Sequence, residues 1–279
     1  MWILKVWIIT SRPLLYPLVP VIFILGYQAG GGELLDWQIS EWLFVAALTW
    51  PLTMIVYGIN DLTDVHSDRH DTKRSRLDGG IADLDSIRSI RTGVGLAAAL
   101  LFGISSYALG WYGFIFTVFV LLASVVYSVP PIRLKSRAGL DVLFSGFVYV
   151  ICMYGAGYWL VQPLALLPNA AYILALFAVC LHALGTLRDY TVDKATGEKT
   201  FAVMLGPRKS TLLVAILASS GIVLWYVDRG FDLAANLVFL SILLPALLTI
   251  HQPNEHLIRV SMRVIAVIVG LVGLYKIFF

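Results

Sequence analysis

Residues 55–68 read Ile55-Val56-Tyr57-Gly58-Ile59-Asn60-Asp61-Leu62-Thr63-Asp64-Val65-His66-Ser67-Asp68, and the change of character at Asn60 decides the fold. Behind Asn60 the chain is predominantly apolar back to residue 39, long enough to cross a bilayer as a helix. Ahead of it come Asp61, Asp64 and Asp68. A second apolar stretch, residues 169–187, runs in the same way into Arg188-Asp189-Tyr190-Thr191-Val192-Asp193. Carboxylates at the mouth of a membrane helix are costly unless something positive satisfies them. Five of them in two matched clusters therefore point to a bound divalent metal and an anionic substrate.

The rest of the chain fits a membrane setting. It is 59% hydrophobic and 13% charged, with a mean hydropathy of +0.85, far more apolar than an average soluble domain. Membrane lipid is the expected surrounding, and no nucleic-acid partner is expected. Windows of about 20 apolar residues predict nine spans, near residues 12–29, 39–59, 88–108, 111–128, 139–160, 169–187, 210–227, 233–250 and 259–278. Pro17 to Pro20 and Trp50-Pro51 are expected to kink the first two. The fold class is thus an all-α integral membrane protein of nine transmembrane helices. No stretch is low-complexity and no linker is long enough to separate a second domain, so residues 1–279 read as one domain. Met1 to Thr10 is apolar but has no small-residue cleavage site before Arg12-Pro13, which predicts a retained interfacial helix. Cys152 and Cys180 fall in different spans without ligand-type spacing and are expected to pack.

Orientation follows from the basic residues. The N-terminal segment and the second, fourth, sixth and eighth connections hold 18 of the 20 Lys and Arg, leaving Arg229 and Lys276 for the other side. This asymmetry predicts a cytoplasmic N-terminus, both acidic clusters on the cytoplasmic face of the plasma (inner) membrane, and, with nine spans, an external C-terminus.

Spacing carries the chemistry further. Asp61, Asp64 and Asp68 stand at i, i+3 and i+7, one face of a continuing helix, and Asp189 and Asp193 at i and i+4, again one face. The two faces are expected to line one cavity. Two Mg²⁺ ions against five carboxylates leave about −1, which still repels a diphosphate of charge near −3. Bases must make up the deficit: Lys73 and Arg74 after the first cluster, Arg133 and Lys135 in the fourth connection, Arg188 and Lys194 around the second cluster. Mg²⁺ takes one or two carboxylates and completes its shell with phosphate oxygens and water, so carboxylates from two helices can clamp a diphosphate. By contrast, Asp71, Asp78, Asp83 and Asp85 read as solvated surface.

These residues carry a resemblance. Asn60 to Asp68 resembles the NDxxDxxxD motif of the UbiA-type intramembrane prenyltransferases, and Asp189 to Asp193 resembles their second, DxxxD motif. Tyr127-Ser128-Val129-Pro130-Pro131-Ile132-Arg133-Leu134-Lys135 is similar to their YSxPPxRxK stretch, Ser11-Arg12-Pro13 to their N-terminal RP element, and Gly197-Glu198-Lys199-Thr200 through Leu205-Gly206 to the segment after the second motif. The resemblance implies a helical bundle around a central cavity open to the cytoplasmic side. Two Mg²⁺ ions would be held by Asp61, Asp64, Asp68, Asp189 and Asp193, with Asn60 among the diphosphate-binding residues. The substrates would be a prenyl diphosphate donor and a lipophilic acceptor: a carotenoid, a quinone precursor or a lipid. Trp50, Tyr57, Tyr149 and Tyr154 are positioned to face an allylic cation, although packing alone also accounts for such aromatics. Where some members carry YxxxK, the position four after Tyr127 is Pro131, which leaves the phosphate contact to Arg133 or Lys135. Leu77-Asp78-Gly79-Gly80 is similar to the Lys-Gly-Gly stretch of the carotenoid-elongating branch, with Asp in place of Lys. The alternative from another class is a divalent-cation transporter with a carboxylate-lined site, which would place its carboxylates near the bilayer midplane.

Overall fold

The computed structural model describes residues 2–68, 84–252 and 254–278, and every regular element among them is helical. The longer elements are α1 (Trp2–Thr10), α2 (Leu18–Ala29), α3 (Ile39–Ala47), α4 (Trp50–Asp68), α5 (Leu84–Leu109), α6 (Trp111–Ser128), α7 (Leu140–Leu143) and α8 (Tyr149–Trp159). They continue with α9 (Asn169–Arg188), α10 (Tyr190–Thr196), α11 (Phe201–Leu205), α12 (Pro207–Arg229), α13 (Leu233–Thr249) and α14 (Glu255–Phe278). Among the described residues, seven helical segments are long and apolar enough to cross a membrane: Ile39–Asp64, Asp85–Leu109, Trp111–Ser128, Leu140–Trp159, Asn169–Arg188, Pro207–Arg229 and Glu255–Phe278. An eighth arises if Trp2–Thr10 and Pro13–Ala29, bent by 48°, act as one broken span. The α13 helix is apolar but has only 17 residues.

Of the two expected kinks, the helix is interrupted just before Trp50-Pro51 as expected, whereas the 48° bend near the N-terminus falls between Thr10 and Pro13, ahead of Pro17 to Pro20. Pro51 cannot donate an N–H to continue the preceding helix, and the second predicted span breaks between Ala47 and Trp50. Glu41 accepts from the Gln38 backbone N–H at 3.1 Å and from Ser40 at 2.8 Å, capping the start of α3. In the fifth predicted span the helix passes through a π turn at Phe144–Val148.

The chain divides into two compact units. The first comprises Met1–Pro20 and Glu33–Arg133. Here α1 packs on α4 and α5. Trp7 donates its indole N–H to the Ser89 carbonyl at 2.8 Å and sets its ring 5.8 Å from Trp50. Met54 of α4 lies against α5 at Gly93, and α5 buries Ile90, Ala97 and Leu101 along one face. The α5 and α6 helices are joined at Gly110 and linked by a buried Ser105–Thr117 hydroxyl bond of 2.7 Å, the polar contact that substitutes for a hydrophobic driving force between helices in lipid.

The second unit comprises Val21–Gly32 and Leu134–Phe279, and α9 is its axis. Phe177, Cys180, Leu184 and Leu187 of α9 pack into a core with Val214 and Ala218 of α12, Phe239 and Ile242 of α13, and Ile258 and Ile265 of α14. Cys152 and Cys180 are both free thiols in packed positions. The Val21–Ala29 part of α2 crosses α8 at contact distance. A Cβ on Gly26 would stand 2.0 Å from the Tyr154 carbonyl oxygen, and one on Gly157 2.0 Å from that of Phe23.

Candidate active site

In the first unit, α4 remains helical through Asp68, so the carboxylates of the first motif keep their i, i+3, i+7 register. Asp61 is fully buried, and Arg12 Nη2 lies 3.4 Å from its Oδ1. The same guanidinium stands 4.2 Å from the centre of the Tyr57 ring, one turn back on α4, so ring and carboxylate share one cation. Asp64 accepts from Arg133 Nη2 at 3.1 Å through Oδ1 and from Asn60 Nδ2 at 3.0 Å through Oδ2. Ser128 Oγ is 3.5 Å from Asn60 Oδ1, which fixes the amide's orientation. Among the described residues, Arg12 (φ +53) and Arg133 (φ +39) are the two non-glycine positions with left-handed backbone. That conformation is strained for a residue bearing a Cβ, and each of the two delivers a guanidinium to a motif carboxylate. For Arg12 the following Pro13 disfavours the right-handed region.

In the second unit the chain departs from the continuous helix that the sequence suggests. The α9 helix ends at Arg188, Asp189 adopts φ −103 and ψ 7, and α10 begins at Tyr190. The Asp193 N–H still bonds the Asp189 carbonyl at 2.9 Å, so the one-turn spacing survives. The side chains nevertheless face different partners. Asp189 takes a two-pronged contact from Arg188, at 2.8 and 2.5 Å, and has Arg259 of α14 at 3.7 Å. Asp193 accepts from the Thr200 hydroxyl at 3.1 Å. A helix end leaves carbonyls and N–H groups without intrahelical partners, and at this one the Asp189 N–H bonds the Gly185 carbonyl at 3.3 Å.

Arg133 and Arg188, predicted as diphosphate ligands, are thus brought onto motif carboxylates. Lys194 instead lies over its own helix neighbour Tyr190, 3.5 Å from the hydroxyl and 5.7 Å from the ring centre. Lys135 sits in the turn Leu134–Ser136. Lys73, Arg74, the stretch Leu77 to Gly80, and Asp71, Asp78 and Asp83 lie outside the described residues, as does the side chain of Asp68; Asp85 is exposed, as expected. Trp50 packs on Trp7, Tyr149 is edge-on to Phe144, and Tyr154 is buried at the α2 crossing. Two arginines escaped the sequence-based site list. Arg12 was visible only as part of the RP element, and Arg259 only as a charge at a helix mouth.

The donor set suits a hard divalent cation: aspartate and asparagine oxygens, with no thiolate or imidazole needed. Among the described residues no three His, Cys, Asp or Glu side chains converge on one point. Mg²⁺ takes one or two carboxylates and completes its shell with substrate oxygens and water. Asp61, Asp64 and Asp189 are each already compensated by a guanidinium, so these positions accommodate a cation beside the carboxylate.

Comparison with known proteins places this geometry. Over 212 residues the chain is 25% identical to a lycopene elongase/hydratase of Corynebacterium glutamicum, covering 75% of this chain and 72% of the relative. It is 30% identical over 239 residues to the bacteriochlorophyll synthase 33 kDa chain of Cereibacter sphaeroides, covering 77% and 75%. Among solved structures, a UbiA homologue from Archaeoglobus fulgidus bound to DMAPP and Mg²⁺ shares the fold with a TM-score of 0.70 at 18% identity, over 97% of this chain and 98% of that one. The model of the UbiA prenyltransferase family matches residues 18–268, which include both aspartate motifs, and the chain therefore belongs to that family and is a prenyl-transferring enzyme.

Proposed function

We propose that this enzyme moves a prenyl group from an allylic prenyl diphosphate to a lipophilic acceptor within the membrane, in a reaction that requires Mg²⁺. The observation that carries this reading is the family match across both aspartate motifs, with motif carboxylates paired to arginines in each unit. Asp61, Asp64, Asp68, Asp189 and Asp193 are the metal ligands. Bound Mg²⁺ supplies charge neutralisation at the leaving diphosphate, which lowers the barrier to C–O cleavage. Arg133, Arg188, Lys73, Arg74, Lys135 and Lys194 serve the diphosphate oxygens, with Arg12 and Arg259 added to them by their contacts with Asp61 and Asp189. The guanidiniums suit this role because their planar donors match phosphate oxygens. The bond from donor C1 to the diphosphate oxygen breaks with its electron pair going to oxygen. A bond then forms from C1 to the acceptor, and the acceptor loses a proton. The Tyr57 ring faces the Arg12 guanidinium, which places an aromatic ring beside the first motif.

A carotenoid or related polyene is the acceptor class we favour. The support is the likeness to lycopene elongase/hydratase and to bacteriochlorophyll synthase, two proteins whose names denote lipophilic substrates. The family match spans residues 18–268 and runs through both compact units, which supports one catalytic domain over the whole chain. It displaces the cation-transporter reading. Nine spans follow if the bent N-terminal pair and α13 both cross; 17 residues of α13 rise about 26 Å, close to the ~30 Å hydrocarbon core. Incubation of the protein in lipid with labelled geranyl, farnesyl and geranylgeranyl diphosphates and a panel of carotenoid, quinone and glycerophosphate acceptors tests the proposal. A labelled lipid adduct that forms with Mg²⁺ and disappears with EDTA is expected. Donor left intact with every acceptor would remove it.

A further inference from the structure

We infer that Thr200, locked in place by the buried carboxylate of Asp141, is a positioning residue that orients Asp193 for metal binding; the inference rests on the metal role proposed for Asp193. Three observations in the second unit carry it.

First, Thr200 occupies the N-cap position of α11, where a threonine hydroxyl ordinarily accepts from the first N–H groups of the helix. Here it makes no capping bond. The hydroxyl is turned the other way and donates to Asp193 Oδ2 at 3.1 Å. Second, the first N–H of α11, which an N-cap side chain does not reach, is served from elsewhere. Asp141 Oδ2, 60 residues earlier in the chain, accepts from Phe201 N at 2.7 Å. The two contacts fall on adjacent residues, so Asp141 holds the backbone next to the hydroxyl that Thr200 turns toward Asp193.

Third, Asp141 is an expensive way to cap a five-residue helix. It is 1% exposed, it stands at the start of a membrane span, and among the described residues its Oδ1 has no hydrogen-bond partner. A buried carboxylate retained at such a depth points to a role beyond packing. The segment it holds is tied down again by the contact of Ser136 with Glu198 and by the turn at Gly197, where the Glu198 N–H bonds the Asp193 carbonyl at 2.9 Å. Residues 197–201 thus form a strap that passes from Asp193 to Asp141 and returns the Thr200 hydroxyl to the Asp193 carboxylate. A hydroxyl on one oxygen leaves the other lone pairs of the carboxylate directed elsewhere and removes its rotational freedom, the usual function of groups that hydrogen-bond a metal ligand.

The test compares Thr200→Val, Thr200→Ser, Asp141→Asn and Asp193→Ala with the unsubstituted protein in lipid. Two quantities are read: binding of Mn²⁺ followed by electron paramagnetic resonance in the presence of inorganic diphosphate, and the Mg²⁺ concentration giving half-maximal turnover. Thr200→Val is expected to weaken Mn²⁺ binding and raise the Mg²⁺ requirement by about 10-fold or more, and Thr200→Ser to restore both to within about 2-fold of the unsubstituted protein. Asp141→Asn, which leaves Thr200 in place, is expected to shift both in the same direction as Thr200→Val, and it keeps the inference testable should the valine variant fail to fold. Unchanged Mn²⁺ binding in folded Thr200→Val and Asp141→Asn, with binding lost in Asp193→Ala, would overturn the positioning role alone. Unchanged binding in Asp193→Ala would instead remove the metal role on which it rests.

Discussion

At the scale of single residues, charge is the organising fact. Asp61 is buried beside Arg12, Asp64 sits between Arg133 and Asn60, and Asp189 lies between Arg188 and Arg259. Removing one partner from a buried pair leaves an uncompensated charge, whereas Asp64 and Asp193 are only partly buried and contribute little to any apolar core. Asp64→Ala and Asp193→Ala are therefore expected to reduce turnover at least about 100-fold, on the scale of losing a group that stabilises transition-state charge, while the far-ultraviolet helical signal is retained. Near-normal prenyl transfer by either variant would remove these carboxylates from the metal site. The register of Asp61 and Asp64 was legible from spacing, because a helix places i and i+3 on one face. Their partners were not. Arg12 is 49 residues from Asp61 and Arg259 is 70 from Asp189, and no local pattern encodes which of many membrane-surface arginines meets which carboxylate.

At the scale of elements, the fold depends on how closely helices approach. A side chain on Gly157 would meet the Phe23 carbonyl oxygen at 2.0 Å and the Tyr27 nitrogen at 2.9 Å, both backbone atoms that cannot swing aside. Gly157→Ala is accordingly expected to cost about 1–3 kcal/mol through forced separation of α2 and α8, seen as a lowered thermal midpoint in detergent; an unchanged midpoint would show that the crossing tolerates a methyl. A second staple joins the start of α13 to the end of α14. Asp232 Oδ1 accepts from the Ala234 and Ala235 N–H groups at 3.0 and 3.3 Å, and Lys276 Nζ approaches Oδ2 at 2.8 Å. Burial pushes the Asp232 carboxyl up, but the bond from Lys276, the two N–H groups and the Lys276 charge together outweigh it and hold the carboxyl below its ordinary value of 3.8. A depressed carboxyl stabilises the fold above its unfolded value, and that contribution is lost as pH falls through the lowered one. Asp232→Ala should cost about 1 kcal/mol at neutral pH, the scale of a lost cap, and the difference from the unsubstituted protein should close as pH drops below 3.8. A gap that persists unchanged at acid pH would rule out the ionised carboxylate as its source. Spans 111–128 and 169–187 were legible almost to the residue because long apolar runs have one reading in lipid. The helix break at Asp189 was not, since the i, i+4 spacing of Asp189 and Asp193 is the same whether or not the helix continues.

At the scale of the whole molecule, the distribution of Lys and Arg predicts a cytoplasmic N-terminus, and the nine-span reading of the sequence predicts a C-terminus on the opposite side. A phosphatase that is active only outside the cytoplasm, fused after Phe279, should therefore be active, and a fusion truncated after Ser136 should not; the reverse pattern would invert the proposed orientation. What the amino-acid sequence determined by itself was the membrane setting, the position of most helices, the aspartate motifs and the family they resemble. Each of these rests on local composition and periodicity, which need no knowledge of distant neighbours. What only the tertiary structure decided was the pairing: Arg12 with Asp61, Arg133 with Asp64, Arg259 with Asp189, and Asp141 with the N–H of Phe201. Such contacts join residues tens of positions apart. They arise from how the helices cross and from the two left-handed arginine backbones, neither of which spacing along the chain can express.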